Sequence, residues 1–210
     1  MDQRVQSKGC VVRKELTAKG KATRSRIVEG AAVVLREKGV SAATLDDVMA
    51  RTQTSKSQLF HYFPAGKDEL LLAVAQHEAE QVIEDQQPYL GCLDSWDAWQ
   101  QWRDVVVERY EEQGDQCPLG SLFHYVGRST PGAQAIVTEL MRRWQASLAA
   151  GIRALQDAGH LPADLDVERR AAALLAGIQG GVSILQSTGR PDHLRAALDQ
   201  GISDLRRAAP

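Results

Sequence analysis

Long apolar runs and disulfide-forming cysteines are both missing from this chain. No apolar stretch approaches the roughly 18 residues that a membrane-spanning helix needs, and the polar start lacks the apolar segment of a secretion signal. The cysteines Cys10, Cys92 and Cys117 are odd in number and far apart, which argues against a disulfide framework. These absences predict a cytoplasmic protein without a membrane partner.

Motifs for phosphate binding, nucleophilic catalysis and metal binding are also absent. The sequence has no glycine-rich phosphate loop, no His-Glu-x-x-His, no Gly-x-Ser-x-Gly and no Cys-x-x-Cys. Cys117 and His124 would share a helix face, but Pro118 lies between them and no acid is placed to orient the histidine. A buried, inert Cys117 is favoured over an oxidation or metal sensor. We predict no enzyme activity, no cofactor and no metal site.

Alternating apolar and polar residues, the pattern of a half-buried strand, are rare, and helical periodicity covers the chain. A first helix carries a buried stripe and ends at Gly39. Later helices are predicted over residues 67–87, 96–113, 119–126, 131–158, 167–188 and 191–207. The sequence therefore predicts an all-α fold of about nine helices, three in front and six behind.

Residues 44–63 have the layout of a helix-turn-helix. Thr44 can cap a first short helix and Ser55 can cap a second. Leu59 and Phe63, four residues apart, would share the buried face of the second helix. Such a motif presents the leading end of its second helix to the major groove of DNA.

Positive charge is concentrated in the same part of the chain. Residues 1–67 carry 13 Lys and Arg against 6 Asp and Glu, a net charge of +7, whereas the whole chain has a net charge of −2. A basic segment that contains a helix-turn-helix is typical of a DNA-binding domain, and an unrelated basic tail is the alternative. We predict a mobile basic arm over 1–19, a DNA-binding domain over 20–66 and a larger helical domain over 67–210.

The segment from Thr23 to Leu71 resembles the DNA-binding domain of the TetR family of transcriptional regulators. The residues that carry the resemblance are Ile27, Ala31, Gly39, Thr44, Ser55-Lys56, Leu59-Phe60, Tyr62-Phe63 and Lys67-Asp-Glu-Leu70. The resemblance implies a ligand-responsive regulator, most commonly a repressor, that binds palindromic operator DNA as a homodimer. It also implies release by a small, mainly apolar effector, with effector binding and dimerisation in residues 67–210.

Three features depart from the family pattern. Thr52-Gln53-Thr54 replaces Ala-Gly-Val in the turn, so either the turn changes shape or Gln53 adopts a strained positive φ. Phe60 lacks the hydroxyl that would reach a phosphate. The loop over 63–67 is one residue longer than usual and, with the segment 117–122, resembles the LmrA/YxaF-like subgroup. Phe60 and the glycine-free turn leave an alternative function, a helical interaction protein that binds DNA without sequence specificity.

Roles at the DNA follow from side-chain chemistry and from the resemblance. Lys56 and Gln58 are suited to guanine and adenine edges, and Ser57 lets the backbone approach the groove. Other residues are expected to contact phosphates, which position the protein without reading sequence. The predicted DNA contacts are Thr44, Thr54, Ser55, Lys56, Ser57, Gln58, His61, Tyr62 and Lys67.

The last two predicted helices carry apolar faces with two interpretations. They can close the domain's own core, or, as the resemblance implies, form a four-helix bundle with a second subunit. Glycines inside the first of these helices cost about 1 kcal/mol each relative to alanine, which close approach across an interface would offset. A wider cavity beside the helix is the competing explanation. The predicted interface residues are Leu174, Ile178, Gly181, Val182, Leu185, Leu194, Leu198, Ile202 and Leu205.

Aromatic residues are few, and most fall on helices where the family places its effector. The resemblance implies a cavity for an apolar, aromatic molecule of drug-like size, and an ordinary core is the alternative. Tyr110, His124 and Gln179 would supply hydrogen bonds. The predicted pocket residues are Trp99, Trp102, Val106, Tyr110, Cys117, Phe123, His124, Trp144 and Gln179.

Overall fold

The computed structural model describes residues 16–113 and 131–209, and eight α-helices lie within them. They are α1 (Ala18–Lys38), α2 (Leu45–Thr52), α3 (Lys56–Tyr62), α4 (Lys67–Glu84), α5 (Trp96–Gln113), α6 (Pro131–Asp157), α7 (Val167–Thr188) and α8 (Asp192–Arg207), with a short 3₁₀ turn at Tyr89–Gly91. The described residues contain no strand, which confirms the all-α prediction. The helix predicted over 119–126 lies outside the described residues.

The first helix begins earlier than the sequence suggested. The Thr17 hydroxyl caps α1 by accepting a hydrogen bond from the backbone N–H of Gly20 at 3.2 Å. Residues 18 and 19, predicted to belong to a mobile arm, are therefore helical, because Thr17 satisfies a backbone donor of the first turn. The rest of that predicted arm, residues 1–15, lies outside the described residues. At the other end, Gly39 stops α1 with a φ of 76°.

Two apolar cores share one helix. The front core joins α1, α2 and α3 to the first half of α4, with Ile27, Leu59 and Val74 fully buried. The rear core contains the second half of α4 and the helices from α5 onward, and Ala79 and Ile83 belong to it. The boundary predicted at residue 66 therefore does not coincide with a break in packing, since α4 adds apolar side chains to both cores.

The helices α7 and α8 pack against each other within one protomer. A Cβ at Gly181 would lie 2.5 Å from the Cα of Leu194, so this glycine permits close approach of two helices of the same chain. Gly180 has no atom within 4 Å of its Cβ position and faces outward. The competing explanation of a cavity beside the helix does not apply at Gly181.

This packing contradicts the predicted dimer interface. The eight apolar side chains assigned to that interface are at most 6% exposed, and Ile178, Leu194 and Leu198 have no exposed area. Gly181 is buried as well. Side chains with so little exposed area offer almost no surface to a second copy of the chain. The interface prediction is therefore corrected: the nine residues belong to the protomer's own core. They are Leu174, Ile178, Gly181, Val182, Leu185, Leu194, Leu198, Ile202 and Leu205.

None of the helices in the two described stretches is both long and apolar enough to cross a membrane.

Candidate DNA-binding and effector sites

The turn between α2 and α3 keeps its shape without a glycine. Gln53 adopts a left-handed conformation with φ 49° and ψ 43°, so this residue accepts the strain and the turn geometry does not shift. The backbone N–H of Thr54 donates to the Met49 carbonyl at 3.1 Å. Arg26 of α1 also donates to the Thr52 carbonyl at 2.8 Å, which ties α1 to the end of α2.

Capping boxes close the N-terminal ends of both short helices. The Thr44 hydroxyl accepts from the Asp47 N–H at 3.2 Å, and the Asp47 carboxylate accepts from the Thr44 N–H at 3.0 Å. Ser55 and Gln58 repeat the arrangement at the start of α3, with both bonds at 3.2 Å. Each box satisfies two backbone donors that would otherwise lack a partner, which stabilises helices of only 8 and 7 residues.

An ion pair strengthens the first of these boxes. Lys38 at the end of α1 binds the Asp47 carboxylate. The hydrogen bond from Lys38 is the main cause that lowers the pKa of Asp47 to about 2, and Thr44 adds to the effect. The Asp47 carboxylate is therefore charged throughout the physiological pH range, as its place at a helix N-terminus favours.

The leading end of α3 projects polar side chains into solvent. Lys56, Ser57 and Gln58 are exposed, and so is His61 one turn later. Leu59 has no exposed area and anchors the opposite face of the helix in the front core. The four exposed side chains predicted as DNA contacts thus share an accessible surface, which we call the α3 face.

Two residues predicted as DNA contacts have side chains that form hydrogen bonds within the protein. Thr54 is 5% exposed and its hydroxyl bonds to that of Thr52 at 2.9 Å, so its side chain packs inside the turn and is not available to DNA. The half-buried Lys67 donates to the carbonyls of Val40 and Ala43 at 3.2 and 2.6 Å. These bonds use two of the three N–H donors of the ammonium, so a phosphate contact is left with the third.

Three further predicted contacts lie at helix ends, Thr44 at the start of α2 and Ser55 and Tyr62 at the two ends of α3. Thr44 and Ser55 are exposed but use their hydroxyls as helix caps, and Tyr62 is half-buried against the His61 ring. Phe60 of α3 is 38% exposed and adds an apolar ring to this surface. The position of Phe60 beside the α3 face could not be predicted, because the sequence shows only that its ring lacks a hydroxyl.

The predicted pocket residues on α5 and α6 are core residues by burial. Trp99, Trp102 and Trp144 have no exposed area. The Trp99 indole donates to the Leu93 carbonyl at 3.1 Å, and that of Trp102 donates to Gln86 Oε1 at 2.9 Å. Trp144 differs, because its buried Nε1 has no hydrogen-bond partner among the described residues. Cys117, Phe123 and His124 lie outside the described residues.

A polar cavity of about 160 Å³ lies between the end of α1, the second half of α4 and the second half of α5. We call it the junction cavity, since α1 belongs to the front core, α5 to the rear core and α4 to both. Its charged lining includes Arg36, Glu78, Asp85 and Arg109. Val106 and Tyr110 of the predicted pocket also line it, whereas Gln179 lies half-buried on α7.

Two ion pairs form among the residues that line this cavity. Arg36 of α1 donates to Glu78 of α4 at 3.1 Å, and Arg109 of α5 binds Asp85, the residue that follows α4. Glu78 is only 7% exposed, and this burial raises its pKa above the ordinary value although Arg36 opposes the shift. The Arg36–Glu78 pair links the helix that supports the DNA-binding motif to the helix shared by both cores.

Family models match both parts of the chain. Residues 27–74 match the bacterial regulatory proteins of the tetR family, and residues 96–200 match the Tetracyclin repressor-like C-terminal domain. The transcriptional regulator AcuR of Cereibacter sphaeroides is 25% identical over 165 residues, which cover 77% of this chain and 75% of AcuR. The uncharacterized HTH-type regulator Rv0196 of Mycobacterium tuberculosis is 29% identical over 90 residues, 43% of either chain, so that match spans less than half of the relative.

Solved structures share the fold at low sequence identity. A TetR-family regulator from Mesorhizobium loti superposes with a TM-score of 0.74 at 16% identity, over 90% of this chain and 98% of its own. SmeT, the repressor of a Stenotrophomonas maltophilia multidrug efflux pump, gives 0.65 at 20% identity, over 88% and 91%. These matches do not confirm the LmrA/YxaF-like subgroup. Because the C-terminal model alone matches half of the chain, this protein belongs to the TetR family, a non-enzymatic class of transcriptional regulators.

Proposed function

We propose that this protein represses transcription as a homodimer that binds palindromic operator DNA and is released by a small, mainly apolar molecule. The main observation that supports this proposal is the exposed α3 face. Lys56, Ser57 and Gln58 project from a helix whose turn and cap are already satisfied, so little ordering is needed when DNA binds. Lys56 and Gln58 are assigned to base edges, and Ser55 and Tyr62 at the two ends of α3 are assigned to phosphates.

Dimerisation is proposed through the outer faces of α7 and α8. Ala173, Ala176, Gly180 and Ile184 lie exposed along one face of α7, and Ile184 is 37% exposed. Small side chains allow a helix of a second copy to approach closely, and Gly180 offers it open space. An isologous interface of this kind places two recognition helices symmetrically, as a palindrome requires.

The effector is proposed to bind in the rear part of the protomer. The buried Trp144 Nε1 without a partner supports this proposal, because an unpaired buried donor costs about 1–3 kcal/mol that a ligand acceptor would offset. The structural relative SmeT has been crystallised with triclosan. That complex supports an apolar aromatic ligand for this chain as well. The support comes from the shared fold alone.

Selection from a random duplex library at fixed salt concentration tests the proposal. The expected product is a palindrome whose half-sites lie about one helical turn apart, roughly 34–36 Å, with two protomers bound. Salt must be fixed because phosphate contacts alone make binding salt-dependent without giving specificity. Equal, salt-labile binding to all duplexes would instead indicate a helical interaction protein that binds DNA without sequence specificity.

A further inference from the structure

Phe60 presents an apolar ring among the polar side chains at the exposed side of α3. At about 100° per residue, Phe60 falls between Lys56 and Ser57 around the axis of α3, and it lies about one turn after them. Its side chain is 38% exposed, and Lys56 and Ser57 are exposed as well. A surface that binds Lys56 and Ser57 therefore also meets the Phe60 ring.

The loop after α3 supports one edge of this ring. A Cβ added at Gly66 would lie 3.6 Å from Phe60 Cε1, an ordinary van der Waals separation, so the ring lies next to the Gly66 backbone. Two departures from the family pattern, the missing hydroxyl at residue 60 and the longer loop over 63–67, therefore meet in space. The contact limits the positions that the ring can adopt, which reduces the entropy that a further contact would cost.

The chemistry of the ring limits what it can recognise on DNA. A phenyl ring has no hydrogen-bond donor, and the negative face of its π system is unfavourable beside a phosphate. The apolar group that the major groove displays is the C5 methyl of thymine, which phenylalanine side chains can contact. Burial of one methyl group is worth roughly fourfold in affinity, or about 15-fold for the two half-sites of a palindrome.

We propose that Phe60 determines operator specificity by contacting the C5 methyl of one thymine in each half-site. The inference rests on the proposed function, because it requires the α3 face to lie in the major groove. Single exposed apolar side chains are ordinary on protein surfaces, so the support comes from the place of Phe60 between Lys56 and Ser57. The residue whose missing hydroxyl favoured the alternative function is thereby assigned a specific contact.

Changes to the DNA alone test this contact with the protein unaltered. Each symmetric pair of thymines in the selected palindrome is replaced in turn by deoxyuridine, which lacks only the C5 methyl, and affinity is measured at a fixed salt concentration. One pair is expected to lose about 15-fold in affinity. When that pair is replaced by cytosines, 5-methylcytosine should bind more tightly than cytosine by a similar factor. A palindrome in which no thymine pair responds to the missing methyl would overturn the inference.

Variants assign the methyl effect to the Phe60 ring. Phe60→Ala should bring the ratio of affinities for thymine and deoxyuridine at the responding pair to about one, whereas a structural defect would weaken binding to both duplexes equally. Phe60→Tyr keeps the ring and should keep the ratio. His61→Ala is the matched control, because His61 is the next residue of α3 and is also an exposed ring side chain. A ratio that survives in Phe60→Ala, or disappears in His61→Ala, contradicts the assignment.

The order of these experiments separates this inference from the proposed function. Failure to select any palindrome would contradict the proposed function, and the Phe60 contact would fail with it. A selected palindrome whose thymine methyl groups have no effect, or whose methyl effect persists in Phe60→Ala, would overturn this inference alone. A methyl effect that is present in the parent and absent in Phe60→Ala supports both.

Discussion

Gln58 has two uses at the start of α3, and they compete for one carboxamide. Its Oε1 accepts from the Ser55 N–H at 3.2 Å, which leaves the side-chain NH₂ free to donate. Bidentate reading of adenine needs both the oxygen and the nitrogen, so it would require the cap to open. A single donation to a base acceptor is compatible with the cap, and this is the contact we expect.

Two substitutions at Gln58 separate capping from base reading. Gln58→Ala should cost about 1–3 kcal/mol of binding free energy at one operator position and also destabilise α3. Gln58→Glu keeps an acceptor for the Ser55 N–H but has no donor, so it should lose the base preference and retain the unfolding free energy. Denaturant unfolding and DNA selection measure the two effects. An unchanged base preference in Gln58→Glu would show that Gln58 does not read a base.

Asp47 should make stability depend on pH in the acid range. Its pKa is about 2 in the folded protein against an ordinary value of 3.8, so the folded state binds fewer protons between these values. The stabilisation is therefore complete above about pH 4 and is lost as the pH falls toward 2. The midpoint of urea unfolding should fall more steeply over this range for the parent than for Asp47→Asn. Parallel pH profiles would indicate that ionisation of Asp47 has no effect on stability.

At the scale of elements, Lys67 fastens the loop after α1 to the start of α4. Removing its ammonium leaves the carbonyls of Val40 and Ala43 without this donor, so Lys67→Met should lower the unfolding free energy by about 1–3 kcal/mol. The salt dependence of DNA binding should stay the same. A slope shallower by about one, with unchanged stability, would restore the phosphate contact that the sequence suggested.

Helix ends could be predicted where local side-chain chemistry determines them. The helix over 167–188 was predicted with the bounds that the structure shows, because Asp166 caps its start and Gly189 ends it with a φ of 70°. The Ser55–Gln58 box also has a local signature in the sequence, Ser-x-x-Gln. The Arg36–Glu78 pair joins residues 42 positions apart, and no local pattern indicates such a contact.

At the scale of the whole molecule, the sequence predicted which residues are buried but not what covers them. Leu174, Ile178 and Leu198 have the spacing of a buried face whether α7 packs on α8 of the same chain or on a second copy. Only the arrangement of the helices decides between these partners. The outer face of α7 carries Ala173, Ala176, Gly180 and Ile184, and its one large apolar side chain gives no periodic signal.

Ile178 and Ile184 of α7 provide a matched pair of substitutions that tests the assembly, because one isoleucine is buried and the other is exposed. Ile178→Asp buries an unpaired charge in the rear core, so the variant should lose its cooperative melting. Ile184→Asp places the charge on the outer face. It should give monomers in sedimentation with an unchanged circular dichroism spectrum, and operator affinity should fall because a single half-site remains. Gln134→Asp, on the exposed surface of α6, controls for added charge. A dimeric Ile184→Asp protein would place the interface elsewhere than on α7.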